Sequence, residues 1–261
     1  MKAFERAFSI PLSGRIVQKP REKGITMVVD EGLGFRAAQD LVEVAADYID
    51  IIKLGFATSR LVDRDLVKRK VALYREHEID VMPGGTSFEI AVAQNSLDEF
   101  LEEAEELGFS MIEVSDETVT MSDERRFAAI RAAREHGFKV VSEVMRKPRE
   151  GDLTGEVYAE GIKRDLREGV FKVVVKARGG GEGAGIYDES GEVRASKLDA
   201  IVKSVNVDDL IFEAPLRNQQ VYLILKFGPN VNLGNIHPED VIPCECLRQG
   251  LRRDTLRTVY K

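Results

Sequence analysis

Cysteine is nearly missing from this chain: Cys244 and Cys246 are the only two in 261 residues. They stand in PCECLRQG, where two thiols cannot build a disulfide framework and no further metal ligands are close by, so both are expected to be packing residues. Long apolar runs are missing too. No stretch approaches the roughly 18 residues of a membrane span, and MKAFERAFSIPL has no continuous apolar h-region. A cytoplasmic protein with no membrane partner is expected. Nor is positive charge in excess: 38 Lys and Arg against 45 Asp and Glu leave a net charge of -7. That balance argues against nucleic acid or an anionic membrane surface as the main partner. Neither G-x-S-x-G nor H-E-x-x-H occurs, which disfavours serine-hydrolase and zincin chemistry.

What is present is alternation. Eight short runs rich in β-branched residues are separated by amphipathic helical patterns: Ile25 to Asp30, Tyr48 to Leu54, Ile79 to Pro83, Ser110 to Asp116, Lys139 to Val144, Phe171 to Ala177, Leu210 to Pro215 and Asn230 to Ile236. Several helical patterns, such as SLDEFLEEAEELGF and SDERRFAAIRAAREHGF, carry Ser or Asp at the N-cap and Gly before the next strand. Eight βα units in a chain of this length predict a single (β/α)8 TIM barrel over residues 1–261, with short N- and C-terminal extensions. An open doubly wound sheet is the rival, but the first turn reads DEGLGF and lacks the dinucleotide fingerprint.

Active sites of such barrels lie at the carboxyl ends of the strands. Those ends are charged or glycine-rich here: Asp30, Lys53, then Gly84, Gly85 and Thr86, then Ser115 and Asp116, Glu143, Lys176 with Arg178, Glu213, and Asn232 with Asn235. Strand side chains alternate faces, so Val174, Lys176 and Arg178 share one parity, and Val141 and Glu143 another that can reach the same pocket. A single charge at a strand end is ordinarily solvated; a ring of them at one end of most strands points to a site. The glycine loop from Gly179 to Gly185 can bind phosphate through backbone N–H groups or act as a mobile lid. His77 and His136 fall at helix ends on the opposite face and suit a helix C-terminus. His237 follows the last strand on the site face, where it can equally cap the next helix.

The segments KPREKGITMVVDEG, DYIDIIKLGFATS, MPGGTSFE, LGFSMIEVSD, FEAPLRNQQVYLILKFGPNVNLGNI and CLRQGLRRDTL together resemble the phosphosulfolactate synthase family, from about Pro20 to Leu256. The resemblance implies a barrel lyase that adds sulfite to phosphoenolpyruvate with magnesium, an early step toward coenzyme M. It implies a small anionic phosphorylated substrate, with Lys53, Lys147, Arg178 and Arg217 as anion clamps and Gly84, Gly85, Thr86, Asn232 and Asn235 in the binding site. Lys147 matches the second lysine of the family's E-V-G-K-K segment and would be the general acid. Glu143 and Lys176 join it as expected catalytic residues, and Asp30, Asp116, Glu143 and Glu213 are the expected metal ligands. A homo-oligomer is expected.

The departures fall in the pocket. Lys176 stands where the family usually has glutamate, which would weaken the use of magnesium; Gly179 to Gly181 replace E-S-G, and Asp116 to Thr118 read DET. EVM (Glu143 to Met145) replaces E-V-G, and GFAT (Gly55 to Thr58) replaces G-W-G-T. Two other readings stay open: an aldolase of class I type with Lys176 as its Schiff-base lysine and Glu143 moving protons, and a non-catalytic stress or binding protein on the same barrel.

Overall fold

The computed structural model describes residues 2–12, 14–144, 154–177, 181–183 and 185–260. Strand and helix alternate along it: β1 (Thr26–Asp30), α1 (Phe35–Ala45), β2 (Ile51–Leu54), α2 (Arg64–Glu76), β3 (Asp80–Pro83), α3 (Gly85–Gln94), α4 (Leu97–Glu106), β4 (Met111–Val114), α5 (Asp123–Glu135), β5 (Lys139–Glu143), α6 (Gly155–Arg167), β6 (Lys172–Val175), α7 (Ala195–Val202), β7 (Leu210–Glu213), α8 (Arg217–Phe227), β8 (Leu233–Ile236), α9 (Val241–Arg248) and α10 (Arg253–Val259). Asp63, Ser122 and Thr154 cap α2, α5 and α6 through their side-chain oxygens, satisfying N–H groups that the first helical turn leaves open.

All strand pairs are parallel, in the order β3-β2-β1-β8-β7-β6-β5-β4. The two ends of that order meet at Ser110. Its N–H donates to the Val81 carbonyl and its Oγ accepts from the Val81 N–H, each at 3.0 Å, so a side chain completes the ring where β3 and β4 lack a full ladder. The result is the expected single, nearly closed (β/α)8 barrel. No helix among the described residues is long and apolar enough to cross a membrane.

Two hydrophobic layers hold it together. Ile25, Met27, Ile51, Met82, Met111, Val141, Val174 and Ile211 pack inside the barrel, and a larger cluster joins the outward strand residues to the helices. Each such buried side chain contributes about 1.5–3 kcal/mol before entropy is counted. On β8 the inward position is Gly234, where a Cβ would come within 2.6 Å of Met27 Cε. Glycine there makes room for the methionine.

The last strand is shorter than the sequence pattern predicts, beginning at Leu233 instead of Asn230. Asn232 is thereby placed at the opposite end of the barrel from the expected binding site. Its Oδ1 accepts from the Ile25 N–H at 3.0 Å and its Nδ2 donates to the carbonyls of Leu210 and Asp208. The amide satisfies backbone groups where β1 and β7 begin, which is a structural role and corrects the substrate-binding expectation for this residue.

Candidate active site

The apolar layer inside the barrel is followed, two residues further along five strands, by a charged one. Lys53 follows Ile51, Glu113 follows Met111, Glu143 follows Val141, Lys176 follows Val174 and Glu213 follows Ile211. Period-two alternation therefore aims all five side chains at the same space above the core. That space is a cavity of about 210 Å³, lined also by Gly84, Gly85 and Thr86 and by Glu89, Ser115, Glu117, Asn235 and His237.

The charges are paired. Lys53 Nζ lies 3.1 Å from Glu113 Oε1 and 3.2 Å from Glu213 Oε1, while the second oxygen of each carboxylate accepts a backbone N–H, from Gly85 at 2.7 Å and from Ala177 at 2.8 Å. Lys176 Nζ lies 2.9 Å from Glu143 Oε1 and 2.5 Å from Glu117 Oε2. A valine-rich strand can end on an ammonium group because two carboxylates from β5 and the loop after β4 receive it.

Burial and charge set the protonation states. Burial is the largest influence on Glu143 and pushes its carboxyl up to about 8; Lys176 and Lys53 pull against that rise, and Glu113 and Glu213 add to it. Burial raises Glu213 as well, opposed by the same two lysines. For Lys176, burial favours the neutral amine, but Glu143, Glu213 and the hydrogen bond to Glu117 outweigh it and hold the pKa above its ordinary value. A Schiff-base nucleophile needs the reverse, a lysine with lowered pKa. The aldolase reading loses its premise.

Glycine is required where α3 meets the pocket. A Cβ on Gly84 would stand 2.5 Å from the Phe56 carbonyl oxygen, and one on Gly85 would stand 2.8 Å from Ser115 Cβ. The N-terminus of α3 can thus approach β2 and β4 closely, with its first N–H held by Glu113. Asn235 has φ of 51°, a left-handed conformation, at the end of β8. Among the described residues its Oδ1 is buried without a hydrogen-bond partner.

Two expected metal ligands point the other way. Asp30 has the parity of Thr26 and Val28, which turns it outward against α2. There its Oδ2 meets Lys70 Nζ at 2.6 Å and accepts from Tyr74 OH at 3.0 Å, and its Oδ1 accepts from the N–H groups of Gly32 and Leu33. Asp116 is one residue out of phase with Ser115 and lies 3.2 Å from Arg126 Nη1, in a buried group that also holds Asp165. Both carboxylates brace helices against the barrel, correcting their assignment as metal ligands. Arg217 is exposed at the first residue of α8 and does not line the cavity. Lys147 and Arg178, expected as general acid and anion clamp, lie outside the described residues.

Glu113, Glu117 and Glu89 are site residues that reading the strand ends missed. Glu113 was within reach, since a glutamate two residues after Met111 in SMIEVSD has inward parity. Among the described lining residues six carboxylates face two ammonium groups. Hard oxygen donors in excess of local positive charge fit a magnesium ion, which binds through one or two carboxylates and keeps several waters. Glu143, Glu213 and the unpartnered Asn235 Oδ1 are the residues that would hold it; no larger group of His, Cys, Asp or Glu among the described residues is arranged for a metal.

Fold and site together define a (β/α)8-barrel protein with an acid-and-lysine pocket at the carboxyl ends of its strands. The family model described as (2R)-phospho-3-sulfolactate synthase (ComA) matches residues 15–254. Phosphosulfolactate synthase of Methanothermobacter thermautotrophicus is 44% identical over 99% of this chain and 99% of that protein. The phosphosulfolactate synthase of Bacillus subtilis is 40% identical over 95% of this chain and 98% of that one. This chain belongs to the phosphosulfolactate synthase family, whose members are enzymes of the lyase type. Protein HEAT-STRESS-ASSOCIATED 32 of Arabidopsis thaliana is a more distant relative, 21% identical over 95% of this chain and 93% of its own length. Among solved structures, 3-hexulose-6-phosphate synthase from Salmonella typhimurium superposes with a TM-score of 0.52 at 16% identity, covering 90% of this chain and 98% of that one. The YdjI aldolase from Escherichia coli K12 gives 0.55 at 13%, covering 91% and 90%. Those two likenesses concern the fold alone.

Proposed function

We propose that the protein joins sulfite to phosphoenolpyruvate to form phosphosulfolactate, the step toward coenzyme M that the family resemblance implies, and that it does so in the cytoplasm. The observation that carries this reading is full-length similarity to proteins named phosphosulfolactate synthase.

The sulfite sulfur forms a bond to the methylene carbon of phosphoenolpyruvate, and the electron pair of the C=C bond moves toward the substrate carboxylate. A proton then adds to the carbon bearing the phosphate, and no other group leaves. Lys53 and Lys176, both held protonated, offer fixed positive charge near the growing negative charge. The resemblance makes Lys147 the proton donor. While no metal is bound, Glu143, with its raised pKa, is a second group in the cavity able to hold a proton at neutral pH, a proton that a magnesium ion on the same carboxylate would displace. Magnesium on Glu143, Glu213 and Asn235 would add positive charge beside the substrate carboxylate. Lys176 competes for Glu143, so this protein needs the ion less than a site without that ammonium would.

Incubation of the protein with phosphoenolpyruvate, sulfite and magnesium, followed by phosphorus NMR and mass spectrometry, tests the reading. A new phosphate ester with the mass of phosphosulfolactate is expected. Absence of product, together with no thermal shift on adding phosphoenolpyruvate, would overturn it.

A further inference from the structure

Glu89 lies on α3, 4% exposed, and among the described residues takes part in none of the ion pairs of the pocket. Its carboxylate instead receives four hydrogen bonds from one loop. Oε1 accepts from Ser115 Oγ at 2.6 Å and from the Glu117 N–H at 3.0 Å; Oε2 accepts from the N–H groups of Thr118 at 2.6 Å and Val119 at 2.8 Å. Both oxygens are fully used, so Glu89 has little capacity left to bind a metal or move a proton.

Four donors converging on one buried anion fix the loop that leaves β4. That loop carries Glu117, whose carboxylate is the second partner of Lys176. Such charge-assisted bonds to backbone N–H groups are short and roughly twice as strong as neutral ones. Without the anion, three N–H groups and a hydroxyl lose their acceptor, and the backbone that carries Glu117 to the cavity loses its tie to α3.

We propose that Glu89 is a positioning residue: it clamps residues 115–119 so that Glu117 holds the Lys176 ammonium in place for the addition step. The role rests on the function proposed above, but its geometry can be tested without turnover.

The experiment is a double-mutant cycle with Glu89→Gln and Glu117→Gln, read in two ways. Turnover of phosphoenolpyruvate with sulfite should fall by roughly tenfold in each single variant and no further in the double variant, because both remove the same constraint. Trace acetylation with acetic anhydride, quantified at Lys176 by mass spectrometry, should rise by the same factor in both singles and the double. Melting temperature separates fold from position: Glu117→Gln, at a half-exposed residue, should leave it unchanged while matching Glu89→Gln in both readouts. If Glu89→Gln does not fold, Ser115→Ala removes one of the four donors and should show the same direction of change in wild type and none in the Glu117→Gln background. The proposal is overturned if Glu89→Gln leaves Lys176 reactivity at the wild-type level, or if the two substitutions act additively. A wild-type protein that makes no product overturns the function instead, and the acetylation arm then decides the role of Glu89 by itself.

Discussion

Lys176, the residue that follows β6, and Glu143, the last residue of the neighbouring β5, form an ion pair at 2.9 Å inside the mouth of the barrel, and neither group keeps its ordinary pKa there. The lysine is held charged and the glutamate is pushed toward its neutral form. Each partner offsets part of the other's burial, and the pair titrates as a unit with Glu213 and Lys53 close by.

The raised pKa of Glu143 has a definite sign in stability. A carboxyl that titrates near 4.5 when unfolded and about 8 when folded binds more protons in the native state between those values. Its contribution is fully present below the unfolded pKa and is lost as pH rises through about 8. Thermal melts of wild type and Glu143→Gln from pH 4 to pH 9, at roughly unit intervals, should diverge in that window, with the variant gaining on wild type as pH rises. Parallel curves would contradict the assignment.

Asp30 and Glu213 separate bracing from binding. Asp30→Asn breaks a buried pair with Lys70 and should cost about 3 kcal/mol in urea denaturation, leaving magnesium affinity unchanged. Glu213→Gln should weaken magnesium binding in calorimetry, since the carboxylate faces the cavity. A weakened ion with Asp30→Asn would restore that residue as a ligand.

Removing the ammonium group should strengthen the claim of a divalent cation on the pocket. Lys176→Met leaves Glu143 and Glu117 without their shared counter-charge, so the dissociation constant for magnesium should fall by roughly tenfold. Calorimetric titration of magnesium alone, with no substrate present, measures this. An unchanged constant would mean that lysine and metal do not compete.

Gly185 supports the end of β6 by having no side chain. Its φ is +59°, and a Cβ would fall 1.8 Å from the Lys176 carbonyl oxygen. Gly185→Ala must move either the loop or Lys176, and a displacement of about 1 Å at a reacting group can cost roughly a hundredfold in rate. The expected loss is in kcat/KM, measured against the melting temperature of the same variant; full activity would show that the strand end can shift without consequence.

Much of this architecture is legible in the chain. Every observed strand lies within a run picked out by its β-branched residues, because parallel strands buried on both faces must be apolar. Lys53, Glu143, Lys176 and Glu213 could be placed at the pocket because a polar residue two positions beyond an inward apolar one must share its face. Glu113 obeys the same rule. Asp30 and Asp116 were misplaced by counting strand ends without counting parity: one residue of phase turns a side chain from the cavity into the helices.

Other features were decided only by the folded chain. Asn232 acquires its place because β8 begins only at Leu233 and the Asn232 amide meets backbone groups from β1 and β7. Glu89 and Glu117 belong to the site through hydrogen bonds spanning 26–30 residues from α3 to the loop after β4, and no local period encodes such a contact. The pKa of Glu143 likewise depends on burial, on the carboxylates of Glu113 and Glu213 from β4 and β7, and on the ammonium groups of Lys53 and Lys176. Alternation along one strand is a local property that sequence carries by itself. Which charge neutralises which is set by the closure of the barrel, since only that brings the strand ends within a few ångströms of one another.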